Sequence, residues 1–143
     1  MLVGAAVGAK IHNLWAVFFI AIILHLVTDR LPHWDYVNKK NSLAFMTVMT
    51  FLDIALGLAV IFYFFGWQPG PYIIWGALFG IAPDLLNPLK GIFAGKNKIV
   101  NAAHSFCHKF HCPEKNGTPG AWFQIFFTAG MLLILYLIKI NVL

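Results

Sequence analysis

The sequence predicts an all-α membrane protein with about four transmembrane helices and one further, histidine-bearing helix at the membrane interface. Its residues are 60% hydrophobic and only 10% charged, whereas a soluble domain averages about 45–50% apolar and about 25% charged residues. The hydrophobic residues fall in long runs separated by short polar segments. A chain of 143 residues with this pattern predicts a single integral-membrane domain over residues 1–143.

The N-terminal apolar run is the least regular. Residues 14–27 are strongly apolar and form the first predicted span, but residues 2–9 are separated from them by the polar stretch 10–13. Two arrangements are compatible with this pattern: one long helix with a polar interruption, or a half-helix over residues 2–9 that dips into the membrane and returns. Gly4 and Gly8 lie four residues apart, a spacing that predicts close helix packing.

Three more spans follow. Residues 43–67 and 121–140 reach the length of about 20 residues that a span needs, and residues 71–89 form a shorter third span. Lysine and arginine are concentrated in the loops after the first and third spans and are absent from the loop after the second. The positive-inside rule therefore predicts that both basic loops are cytoplasmic. This topology accounts for most of the net charge of +5, and we expect no nucleic-acid partner.

Histidine and aspartate side chains are concentrated at the end of the first span. His25 and Asp29 are four residues apart and share a face of the last helical turn. A proline then ends the predicted helix, and in the extended segment after it His33 and Asp35 point the same way. Imidazole and carboxylate groups bind zinc, manganese and iron. The alternative is ion pairing and interfacial packing, but four such residues within eleven positions favour a metal site.

A second histidine cluster lies before the last span. On a helix, 100° per residue places His104, His108 and His111 within an arc of about 60°, with Phe106 and Phe110 on the far side. A helix at the interface would bury the phenylalanines and present the imidazoles together. The alternative is an amphipathic surface helix whose polar face consists of histidine.

Two carboxylates and two thiols complete the candidate residues. Asp84 follows a proline at the predicted end of the third span, which places it in the same layer as the histidines. Asp53 lies about 15 Å into the second span, so it must face the bundle; we expect a supporting role, such as a hydrogen bond to His25. Cys107 and Cys112 are predicted to be inert thiols in a reducing compartment, with a His/Cys zinc site as a variant.

Four segments together resemble a known family: LVGAAVG at residues 2–8, HLVTDRLPHWDY at 25–36, GIAPD at 80–84 and HKFH at 108–111. They resemble the small bacterial proteins of the predicted membrane-bound metal-dependent hydrolase family (YdjM-like), and the resemblance spans most of the chain. It implies a multi-pass protein of the bacterial inner (cytoplasmic) membrane. Members often carry a Thr-His pair before the LVG segment, and this sequence begins at Met1-Leu2 without it.

These observations predict a membrane-bound metal-dependent hydrolase with a His/Asp site at the cytoplasmic membrane face. The site would hold one or two divalent ions, with zinc expected first and manganese or iron as alternatives. A lipid-linked phosphoester is the expected substrate, because the predicted site lies at headgroup level beside lysines. Asp35 and Asp84 are the expected catalytic carboxylates. The candidate metal ligands are His25, Asp29, His33, Asp35, Asp84, His104, His108 and His111.

The main alternative is a non-catalytic membrane protein that binds a metal or haem. Haem would need two imidazoles on opposite sides of a cofactor-sized gap. A scaffold whose histidines serve interfacial packing is a third interpretation, and it predicts that no metal is retained. Membrane lipid is the expected partner in each case, and the sequence predicts no particular oligomeric state.

Overall fold

The structure, a computed structural model, describes residues 1–31, 42–93, 96–109 and 118–142, and every regular element within them is helical. This confirms the predicted all-α class. The described residues form six helices, α1 (Leu2–Lys10), α2 (Leu14–Thr28), α3 (Leu43–Phe65), α4 (Pro71–Ile92), α5 (Lys98–His108) and α6 (Thr118–Val142).

Three of these helices, α3, α4 and α6, are long and apolar enough to cross a membrane. This is consistent with an integral membrane protein. The predicted first span corresponds to α2, which has 15 residues and is therefore only about 22 Å long, against a hydrocarbon core of about 30 Å. The expected count of four spans is therefore not confirmed: three helices reach spanning length in the part of the chain that is described.

Local side-chain chemistry sets several helix ends. The Asn13 side chain accepts a 3.0 Å hydrogen bond from the Ala16 N–H at the start of α2, and the Ser42 hydroxyl accepts one of 3.2 Å from Phe45 at the start of α3. Both bonds satisfy N–H groups that have no partner within the helix. α3 ends at Gly66, whose φ of 78° is a conformation that glycine adopts without strain.

The first two helices form an antiparallel hairpin against α4. α1 runs antiparallel to α4, with Gly4 on Gly76 and Gly8 on Tyr72, so closely that a Cβ on either α1 glycine would collide with a backbone carbonyl of α4. This confirms the close packing predicted from the glycine spacing. α2 then returns parallel to α4, from the ring contact between Phe18 and Phe79 towards Asp84. α1 and α2 are separate helices, so the alternative of one long interrupted helix is wrong, and the dip of the half-helix into the membrane stays a prediction.

α4 is longer than predicted because it continues through two prolines. The expected end at Pro83-Asp84 is wrong: Pro83 and Pro88 lie inside the helix, which ends at Ile92. Each proline removes one backbone hydrogen bond, and neighbouring helices compensate for such losses in membrane proteins. Asp84 is therefore eight residues, or about 12 Å, before the end of the helix and not at its terminus.

The remaining helices close the bundle. α5 packs against the C-terminal half of α4, and α6 contacts α1 and α3. Near its C-terminal end α6 approaches the end of α3, where the Lys139 ammonium lies 3.5 Å from the Tyr63 carbonyl oxygen. The core between α1, α3 and α4 is formed by Ala5, Ile61 and Ala77. α2 runs parallel to α4 and both α3 and α6 run antiparallel to it, so the described parts of both basic loops lie at one end of the bundle.

Candidate metal site

His25 is the centre of the site, and its ring orientation is fixed by the backbone of α4. The side chain is buried, with 8% of its surface exposed. Its Nδ1 lies 2.8 Å from the Gly80 carbonyl oxygen. Because a carbonyl oxygen can only accept, Nδ1 carries the proton and donates it. In the neutral ring the other nitrogen, Nε2, therefore carries an unprotonated lone pair.

Two carboxylates face Nε2. Nε2 lies 3.2 Å from Oδ2 of Asp29 and 3.4 Å from Oδ1 of Asp84. Neither contact has hydrogen-bond geometry, so this nitrogen is buried without a hydrogen-bond partner. Three electron-rich atoms thus converge on one point, an arrangement that is unfavourable unless a proton or a cation lies among them.

The spacing of these atoms fits a metal ion. One nitrogen or oxygen from each of His25, Asp29 and Asp84 lies within 4.8 Å of the others. In a tetrahedral site with metal–ligand bonds of about 2.1 Å, neighbouring ligand atoms are about 3.4 Å apart, close to the two measured distances from Nε2. The bond from Nδ1 to a backbone carbonyl is also typical of metal-binding histidines. One imidazole and two carboxylates suit zinc, manganese or iron.

Helical spacing on two neighbouring helices brings the three residues together. His25 and Asp29 are separated by one turn of α2, and the Asp29 backbone N–H bonds the His25 carbonyl oxygen at 2.9 Å, where α2 ends. Gly80 and Asp84 are likewise one turn apart on α4, so one face of α4 contacts both nitrogens of the His25 ring. Pro83 has no N–H, so it donates no hydrogen bond to the turn of α4 that precedes it. The sequence predicted the three acidic and imidazole side chains but gave no sign of the role of the Gly80 carbonyl.

A cavity of about 390 Å³ opens beside this cluster. Asp53 of α3 lines it together with Asp29 and Asp84 but does not belong to the cluster of three. The predicted hydrogen bond from Asp53 to His25 is wrong, because the Gly80 carbonyl oxygen occupies Nδ1. Asp53 instead contributes a third carboxylate to the cavity wall.

The second histidine cluster is only partly described. His104 of α5 lies beyond Asp84 along α4: its Nε2 is 3.0 Å from Oδ1 of Asn87, and its Nδ1 is 3.4 Å from the Lys90 ammonium. Both ring nitrogens are therefore engaged, and His104 is not part of the cluster of three. Phe106, two positions after His104, lies on another face of α5 and is exposed at the surface of the bundle.

The other candidate ligands lie outside the described residues. This holds for His33, Asp35 and His111 and for the side chain of His108, whose backbone ends α5. Their assignment as ligands, and that of Asp35 as a catalytic residue, stays a prediction.

Cys107 of α5 is half-buried and forms no disulfide. Burial raises the pKa of its thiol, and the negative charges of Asp29 and Asp84 raise it further. A raised pKa disfavours the thiolate, which is the form that binds metals and attacks electrophiles. The prediction of an inert thiol is supported for Cys107, and Cys112 lies outside the described residues.

No family model, curated protein or solved structure matches this chain. A functional conclusion therefore depends on the geometry of this site and on the resemblance of the sequence motifs.

Proposed function

We propose that this protein is a membrane-bound metal-dependent hydrolase in which His25, Asp29 and Asp84 hold a divalent ion. One observation carries the proposal: the buried Nε2 of His25 faces two carboxylate oxygens at 3.2 and 3.4 Å without a hydrogen bond. A single cation among these atoms would satisfy all three. Zinc is the first expectation, with manganese and iron as alternatives for this donor set.

A divalent ion bound there would supply a Lewis acid and lower the pKa of a water molecule to about 7. The protein residues have separate roles. His25 is held by its bond to Gly80, so its ring cannot turn away from the cluster. The Asp84 side chain is 49% exposed, against 19% for Asp29, and it lines the cavity. Asp84 is therefore the better placed of the two to accept a proton from water as a general base, through the carboxylate oxygen that does not bind the ion.

A lipid-linked phosphoester is the proposed substrate class. The cluster lies beside a cavity between helices of membrane-spanning length, and about 12 Å inside the end of α4. A lipid-linked substrate can reach that depth from within the bilayer, because its apolar chain is already there and only its linkage has to move inwards. A second ion would be bound by Asp53, which lines the same cavity, and by the predicted ligands of the loop after α2.

The alternative function is non-catalytic binding of a metal or haem. The described histidines favour a divalent ion over haem, because carboxylates surround the free nitrogen of His25 and both nitrogens of His104 contact Asn87 and Lys90. Neither ring is presented to a flat cofactor. A metal carrier would have the same site as a hydrolase and would differ from it only in turnover.

Metal content of the detergent-purified protein tests the site. We expect His25→Ala to lose most of the bound metal, because it removes a ligand and leaves two carboxylates facing each other. The matched control is His12→Ala, since His12 is an exposed histidine at the hairpin turn whose ring lies 5.5 Å from that of Tyr72. Equal metal content in the two variants would contradict the proposed ligands.

Two further comparisons extend this test. Asp84→Asn should lose metal, whereas Asp53→Asn should retain it if one ion is bound and lose part of it if two are bound. If the predicted ligands outside the described residues complete the site, Asp35→Asn and His108→Ala should also lose metal, and Lys98→Ala should not. Hydrolysis of phosphodiester and lipid-phosphate substrates is followed alongside. Metal binding without turnover on any of them would favour the carrier alternative.

A further inference from the structure

The cavity beside the cluster extends along α3 and α6. Its polar end is formed by the cluster and Asp53, whereas its walls include Leu56 and Val60 of α3 and Phe127 and Met131 of α6. About 390 Å³ is within the range of roughly 300–1,000 Å³ for small-molecule sites. A polar end with an apolar body is the shape of an amphiphile site.

This cavity is poorly covered on the side between α3 and α6. α6 is poorly covered in its first half: residues 121–126 are all exposed, and the first buried apolar side chain after them is that of Met131. On the other wall, the Leu56 side chain lines the cavity and is still 65% exposed. The gap between α3 and α6 therefore has an entrance on the side of the bundle, at a depth where the surroundings are hydrocarbon.

Two polar residues on α6 line this gap, and both are exposed. Gln124 and Thr128 are one helical turn apart, line the cavity, and have no side-chain hydrogen-bond partner within the described part of the chain. They lie about 6 and 12 Å inside the apolar segment Gly120–Ile140 of α6. A polar group without a partner at that depth is unfavourable, so these two groups are suited to a ligand that brings hydrogen-bond acceptors.

We propose that the cavity binds an ester-bearing membrane lipid, which enters sideways between α3 and α6. Its acyl chain lies along Val60 and Met131, and Gln124 and Thr128 donate hydrogen bonds to an ester carbonyl oxygen. The phosphoester next to that ester then reaches the cluster. The choice of reacting group depends on the proposed hydrolase function, whereas lipid binding does not. A polyisoprenyl phosphate also has an apolar chain and a phosphoester, but it has no carbonyl for the two donors.

Photo-crosslinking in lipid nanodiscs tests this proposal. The probes are two phospholipids with a diazirine in one acyl chain, identical except that one has ester and the other ether linkages. We expect the ester probe to label cavity residues of α3 and α6, and the ether probe to label them less. In the double variant Gln124→Leu/Thr128→Val the two probes should label equally, because the donors to the carbonyl are gone.

A matched pair of variants tests the location. Val60→Trp fills the cavity and should lose the cavity crosslinks, whereas Ala59→Trp, at the neighbouring exposed position that does not line the cavity, should keep them. Metal content is measured on the same samples and should be unchanged in all of these variants. Equal labelling by the two probes in the wild-type protein, or crosslinks confined to outward-facing residues such as Phe126, would overturn the proposal.

The two proposals can fail separately. A protein without metal that still prefers the ester probe would refute the metal-dependent hydrolase and uphold the lipid site. A protein that binds metal and hydrolyses a phosphoester without cavity crosslinks would refute the lipid site alone.

Discussion

Gly76→Ala should destabilise the protein strongly for so small a change. A Cβ at Gly76 would collide with the backbone carbonyl of Gly4 and lie 3.3 Å from the Gly8 nitrogen. A backbone neighbour cannot move aside as a side chain does, so α1 would have to separate from α4. Overpacking of this kind costs up to about 3 kcal/mol. The better helix propensity of alanine recovers about 1 kcal/mol, so we expect a net loss of about 2 kcal/mol in the free energy of unfolding.

Gly130→Ala is the matched control. Gly130 lies within α6, and no atom lies within 4 Å of the position that its Cβ would occupy. The same substitution there adds helix propensity without a collision and should stabilise the protein by roughly 0.4–1 kcal/mol. The two glycine-to-alanine variants should therefore differ by about 3 kcal/mol, with opposite signs relative to wild type.

Equilibrium unfolding in mixed detergent micelles, followed by the helical circular dichroism signal, measures both variants against wild type. If Gly76→Ala were as stable as Gly130→Ala, the close approach of α1 to α4 would be wrong. The hairpin orientation that places His25 against Gly80 would then be unsupported as well.

Two further predictions concern the thiols. An impermeant thiol reagent applied to intact cells should leave Cys112 unmodified and should modify Gln68→Cys. The basic loops are predicted to be cytoplasmic, so the loop between α3 and α4 faces outwards. The reverse labelling would show that the topology is the opposite of the predicted one. The second prediction compares two proteins with one cysteine each: Cys107 in a Cys112→Ser background, and Ser105→Cys in a protein without other cysteines. Cys107 should be alkylated more slowly at neutral pH, and the alkylation rate of Cys107 should rise only at higher pH. The reason is that burial and nearby carboxylates raise the pKa of the Cys107 thiol, so less thiolate is present below that pKa; equal rates across the pH range would contradict this.

The parts of the fold that depend on local sequence were predicted well. The second and fourth predicted spans, residues 43–67 and 121–140, correspond to α3 and α6, because length and apolar composition determine such helices almost alone. The third predicted span, residues 71–89, agrees with α4 to within three residues, but the prediction that Pro83-Asp84 marks the end of the helix is wrong. α4 contains two prolines. Each removes a backbone hydrogen bond, and whether that loss is compensated depends on the groups that neighbouring helices supply.

The site was predictable in its residue types and not in its pairings. His25 and Asp29 are four apart on one helix, so their proximity follows from helical geometry alone. The approach of Asp84 depends on how α2 packs against α4, and the 58 positions between His25 and Asp84 contain no local pattern that encodes it. The Gly80 carbonyl is a backbone group, which residue types do not reveal. His104 was predicted as a ligand and bonds Asn87 and Lys90 instead, a contact that again depends on packing.

Close helix packing and the proposed metal site depend on each other through Gly80. Its carbonyl oxygen accepts from the His25 ring, and its Cα faces α1, where an added Cβ would lie 3.2 Å from the Gly4 Cα. A larger residue at either glycine would move α1 away from α4 and would also disturb the turn of α4 that orients His25. Metal binding should therefore be lost together with stability in Gly76→Ala, although that residue contacts none of the proposed ligands. A variant that lost stability and kept its full metal content would show that the hairpin can move while His25 stays in place.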